Sequence, residues 1–131
     1  MILIKQYFCI FIPMLIIDSI WLLFAMNKFY KNYLGYLLSA TPILWVAVLF
    51  YSMYSFAVWF FIIKDKNTDL INIFFSGLFF GFIVYSAYDL TNQATIKDWP
   101  VIVTIVDMAW GAIMTGSVSV IAVILIRFFT K

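Results

Sequence analysis

Four long apolar runs, separated by three short polar stretches, outline this chain; they cover about residues 3–26, 41–63, 70–90 and 100–128. A helix needs about 20 residues to cross a hydrocarbon layer roughly 30 Å thick, and each run is long enough. Polarity does not alternate within the runs, so they do not read as the strands of a membrane barrel. The pattern predicts an all-α integral membrane bundle of four transmembrane helices, one domain over residues 1–131. Thr41 and Pro42 read as a cap and a first-turn proline, and Asp98, Trp99 and Pro100 repeat that arrangement before the fourth run. Residues 64–69, the most polar stretch, read as a solvated turn, and Pro13 predicts a kink inside the first span.

Residues 27–38 differ from the rest. Lys28, Lys31 and Asn32 share one side, while Phe29, Tyr30, Tyr33 and Leu37 are placed to face lipid. This suits either a short helix lying in the membrane interface or an ordinary aromatic-rich loop. Tyr30, Tyr33, Tyr36 and Trp99 are expected at headgroup level. Lipid gives helices no hydrophobic drive to associate, so small residues mark where they approach. The third span carries Gly77 and Gly81, and the fourth carries Gly111, Ala112, Thr115, Gly116 and Ser119. A close contact between these two spans is the simple expectation; a homo-oligomer contact is the other. Tyr51, Ser52, Tyr54 and Ser55 give the second span a mildly polar face.

Composition supports lipid as the natural solvent. Hydrophobic residues make up 66% of the chain and charged residues 11%, against about a quarter charged in soluble domains. The net charge of +2, with no basic cluster, gives no sign of nucleic-acid binding. Cys9 is the lone cysteine, which rules out an intramolecular disulfide, and there is no histidine. The commonest metal ligand and the commonest neutral-pH base are thus missing. No Cys/His cluster, phosphate loop, nucleophile elbow or mid-span lysine occurs, so neither cofactor nor metal is expected. Lys5, Lys64, Lys66, Arg127 and Lys131 fall on one side of the membrane, and Lys28, Lys31 and Lys97 on the other. That bias favours both termini in the cytoplasm. The first span reads as retained rather than cleaved, because Asp18 interrupts it and no small-residue cleavage site follows.

All six acids are aspartates. Asp65, Asp69 and Asp98 suit turns, whereas Asp18, Asp89 and Asp107 lie in or at the edge of apolar spans. An acid at mid-membrane costs about 2.5–3.5 kcal/mol on insertion scales, so such groups face the bundle interior and find partners. Asp18 and Asp107 lie at matched depths, roughly 10–12 Å below the outer surface at 1.5 Å per residue. Asp89 is expected nearer the interface, at the end of the third span. Asp18 with Trp21, and Asp107 with Trp110, repeat an Asp-x-x-Trp spacing that puts acid and indole on one helix face. Tyr85, Asp89 and Asn92 share a face of the third span; Thr104, Asp107, Gly111 and Met114 share one of the fourth, where Gly111 leaves room beside the carboxylate. The plain reading is structural: acids accepting bonds from indole, hydroxyl or helix cap, with Asp89 an ordinary helix-end residue. The functional reading joins Asp18, Trp21, Tyr85, Asp89, Asn92, Asp107 and Trp110 into a ligand-binding site. There the carboxylates hold one proton or bind a cation.

Tyr88-Asp89-Leu90-Thr91-Asn92, with Trp99-Pro100, Val106-Asp107-Met108-Ala109-Trp110-Gly111 and Asp18-Ser19-Ile20-Trp21, resembles a family of small four-helix bacterial inner-membrane proteins, domain of unknown function 2177. The resemblance covers essentially the whole chain and implies a bacterial cytoplasmic membrane and four helices. It implies no catalytic role. Three readings follow from the residues. The first is binding or transport of a small amphipathic or cationic ligand, with transport requiring an oligomer. The second is a small membrane enzyme acting on lipid by paired-carboxylate acid/base chemistry. The third is a structural or assembly partner in which Asp–Trp pairs lock helices.

Overall fold

The computed structural model describes residues 1–64 and 69–130 and is helical throughout its spans. Helix α1 (Ile2–Ala25) runs through Pro13 and continues as a π-helical turn (Met26–Tyr30) into α2 (Lys31–Leu34). Helix α3 (Leu44–Val58) ends in a second π turn (Trp59–Ile63), and α4 (Leu70–Thr95) and α5 (Val101–Phe129) complete the bundle. Among the described residues, four helical segments are long and apolar enough to cross a membrane: Ile2–Leu34, Leu44–Ile63, Leu70–Thr95 and Val101–Phe129. No strand occurs among the described residues. The expected turn at 64–69 falls, for residues 65–68, outside the described residues.

Several local expectations are overturned. Residues 27–34 form no separate interfacial helix but extend the first span. At about 100° per residue, Tyr30 on an unbroken α-helix would lie about 120° around from Asp18. A π turn takes up about one extra residue and winds that difference back. Tyr30 and Leu34 are therefore buried inside the bundle, while Tyr33 and Tyr36 remain exposed. Trp99 is also buried within the bundle, its indole donating to Thr104 at 3.1 Å. Helix α3 starts at Leu44 after Ile43, so Thr41 does not cap it. Pro100 directly precedes α5, and Asp98 does not cap it; it adopts φ 60° instead, a left-handed conformation that Asp tolerates better than most residues.

The close approach expected of the third and fourth spans is present. A Cβ at Gly77 would lie 2.6 Å from Ser119 Oγ and 2.9 Å from the Thr115 carbonyl oxygen. At Gly81 it would meet the Gly111 carbonyl and the Thr115 side chain. The room at Gly111, expected beside the carboxylate, is taken by the Tyr85 ring. Two apolar clusters flank the acids. One, near the termini, includes Ile10, Met14, Val58, Ile73, Met114 and Val118. The other joins Ala25, Tyr30, Leu34, Trp99 and Val103 at the opposite end. Residues 44–50 of α3 are exposed on every face, so that part of the helix stands away from the bundle.

Candidate functional site

Helices α1 and α5 each bring one acid, Asp18 and Asp107, to the lining of one cavity. Its volume is about 220 Å³, and Trp21, Tyr30, Tyr85, Tyr88, Trp99 and Trp110 supply its aromatic lining. A second cavity of about 340 Å³, between α1, α3 and α4, shares Asp18, Leu22, Tyr85 and Tyr88 with the first. Asp18 thus borders both, and the second lies where the exposed part of α3 stands clear.

Each carboxylate is held by neutral donors. Trp110 Nε1 donates to Asp18 Oδ1 at 2.8 Å, and the Tyr51 hydroxyl donates to Asp18 Oδ2. The Tyr30 hydroxyl donates to Asp107 Oδ1 and accepts from Trp21 Nε1 at 3.2 Å. The Trp21 and Trp110 rings stack with centroids 4.5 Å apart and an interplanar angle of 11°. The repeated Asp-x-x-Trp spacing is therefore used crosswise. Trp110 serves the acid of the other helix directly, and Trp21 serves it through Tyr30. No Lys or Arg among the described residues lines either cavity, so the bonds to these acids are charge-assisted on one side only.

Asp89 sits differently from its sequence reading. Helix α4 continues six residues beyond it to Thr95, so Asp89 is interior rather than at a helix end. It is 0% exposed, against 6% for Asp18 and 9% for Asp107. No donor among the described residues reaches either of its oxygens; the α4–α5 contact that sets Tyr85 against Gly111 brings Asp107 to it one helical turn on. Helix-cap chemistry does not account for it. Asn92, one turn further, lies beside Tyr88, partly buried and outside the cavity lining. Asp18, Trp21, Tyr85, Asp107 and Trp110 thus meet at the cavity, Asp89 stands behind Asp107, and Asn92 stands apart. The three acids share a network but not a point: no metal-binding group of three acid or sulfur ligands occurs among the described residues.

Two donors escaped the sequence reading. Tyr51 lies on the polar face recognised in the second span, but nothing in the sequence pairs it with Asp18. Tyr30 had the pattern of a headgroup anchor, and only the π turn reveals its inward direction. Tyr30→Phe removes the acceptor of Trp21 and the donor of Asp107 together. It is expected to lower stability by about 1–2 kcal/mol, read as an earlier thermal transition in detergent.

A family model described as "Predicted membrane protein (DUF2177)" matches residues 3–124. No curated protein and no solved structure matches the chain.

Proposed function

The chain belongs to the DUF2177 family of predicted membrane proteins, and on that premise we propose that it binds a small amphipathic cation between Asp18 and Asp107. The observation that carries this reading is the pairing of two carboxylates from separate helices, held by neutral donors alone, with stacked indoles at one cavity. A carboxylate in a low-dielectric interior is costly without a compensating charge. Aromatic faces add attraction for an organic cation, about 0.5–2 kcal/mol each according to desolvation. The chemistry suits a ligand with a positive centre and an apolar body. The protein is read as lying in the bacterial cytoplasmic membrane with both termini inside, on the excess of Lys and Arg at the terminal side. The cavity then belongs to the outward half.

A structural reading is favoured by one observation: both oxygens of Asp18 already accept a bond from another helix. The two readings part in a binding measurement. Purified protein in detergent is titrated with benzyltrimethylammonium and with neopentylbenzene, its uncharged isostere, following tryptophan fluorescence. Saturable quenching by the cation at concentrations at least tenfold lower is expected. An equal response to both compounds, or none, leaves only the helix-locking role.

A further inference from the structure

Asp89 is the most deeply buried acid of the site and the one with no donor among the described residues. The α4–α5 seam sets Gly81 and Tyr85 against Gly111, and one helical turn further that register brings the Asp107 carboxyl to Asp89. Two ionised carboxylates in that position would set acceptors against acceptors in a medium that screens charge poorly. One proton between them turns the contact into an O–H···O bond and removes one of the two charges. Asp107 also accepts from Tyr30 and borders the cavity, so it stands between the buried acid and any occupant.

We propose that Asp89 and Asp107 hold one proton between them, and that a cation entering the cavity displaces it, so that the protein exchanges a proton for the cation it binds. The inference rests on the cation-binding reading and adds a second, linked ligand to it. The exchange balances. The empty pair is one carboxylic acid and one carboxylate. As the cation enters, the acid O–H bond breaks, its electron pair stays on oxygen, and the proton passes to water. One positive charge arrives and one leaves.

The groups around the pair are consistent with this. The first span contributes Tyr30, which donates to Asp107, and Asp18, which lines the same cavity. Helix α4 contributes Tyr88 beside Asp89, α5 contributes Asp107 itself, and Tyr51 of α3 is engaged with Asp18. No Lys or Arg among the described residues lines the cavity to neutralise a second ionised acid.

Proton release is measured with a pH-indicator dye in weakly buffered detergent solution while benzyltrimethylammonium is added. About one proton released per cation bound is expected, with affinity rising towards a limit of about tenfold per pH unit, because the complex holds fewer protons than the free protein. In Asp89→Asn the amide donates to Asp107 in place of the proton, so binding should release none and its affinity should not vary with pH. Cation binding by the wild type without release overturns the inference and leaves the binding reading intact. Where no cation binds, the binding reading and the exchange fall together. Infrared spectroscopy of the unliganded wild type tests the resting pair independently of ligand and variant. It should show the carbonyl band of a protonated carboxylic acid at neutral pH, and absence of that band overturns the inference.

Discussion

Valine in place of Gly81 is expected to prevent the bundle from assembling. The Cβ alone would collide with the Gly111 carbonyl and lie 2.7 Å from Thr115 Cβ. One of those obstacles is backbone, which yields only if α4 and α5 separate. Overpacking in a close-packed interior costs about 1–3 kcal/mol and sometimes more, and valine adds two further methyl groups. Lipid offers no hydrophobic force to hold the parted helices together. The expected result is loss of the monodisperse peak in size-exclusion chromatography and loss of a cooperative thermal transition. Gly111→Ala should also be destabilising, because the added methyl would lie 2.2 Å from Tyr85 Cγ and 2.8 Å from its Cβ, atoms too near the α4 backbone to swing aside. If Gly81→Val purified and melted like the wild type, the glycine contact would not be what joins these helices.

Removing both cavity-lining charges should have the largest effect on ligand binding. A unit charge about 4 Å from a carboxylate gains about 4 kcal/mol at an effective dielectric constant of about 20. Part of that is offset by the ligand's desolvation. The double substitution Asp18→Asn with Asp107→Asn is expected to weaken benzyltrimethylammonium by at least about a hundredfold, equivalent to about 2.7 kcal/mol. Each asparagine keeps one acceptor for the Trp110 or Tyr30 donor that each acid now serves. Thermal stability should therefore change far less than affinity. A double variant that keeps the wild-type affinity would remove both acids from binding. A variant that loses stability as steeply as affinity would point to helix locking.

The membrane architecture was legible because it depends on a coarse property, the length of apolar runs, that survives any error in local detail. The contact between α4 and α5 was legible for a related reason: Gly77 and Gly81 on one helix, and the small residues opposite, allow an approach that larger side chains forbid. Matched depths and repeated spacing likewise brought Asp18, Trp21, Asp107 and Trp110 to attention. What stayed hidden depends on rotation and on partners distant in the chain. Tyr30 reaches Asp107 across 77 positions, and Tyr51 reaches Asp18 across 33. No periodicity encodes either pairing, and a single π turn changes the side on which Tyr30 emerges. Asp89 was misplaced because Asp-Leu-Thr-Asn carries turn-forming residue types, while the helix runs on through them to Thr95. Thr91 and Thr95 return their hydroxyls to carbonyls of the preceding turn, which lets polar side chains ride on an intact helix.

The glycine seam also decides which part of the molecule can yield. Gly77 and Gly81 press α4 against α5 backbone to backbone, which fixes Asp89 opposite Asp107 as firmly as the two helices are fixed to each other. Tyr30 comes to the same acid from the first span, through a hydroxyl at the tip of a side chain on a widened turn. The acid pair is thus held by the helix seam itself, whereas the Tyr30 contact hangs on a single hydroxyl, so one substitution can remove it without parting α4 from α5.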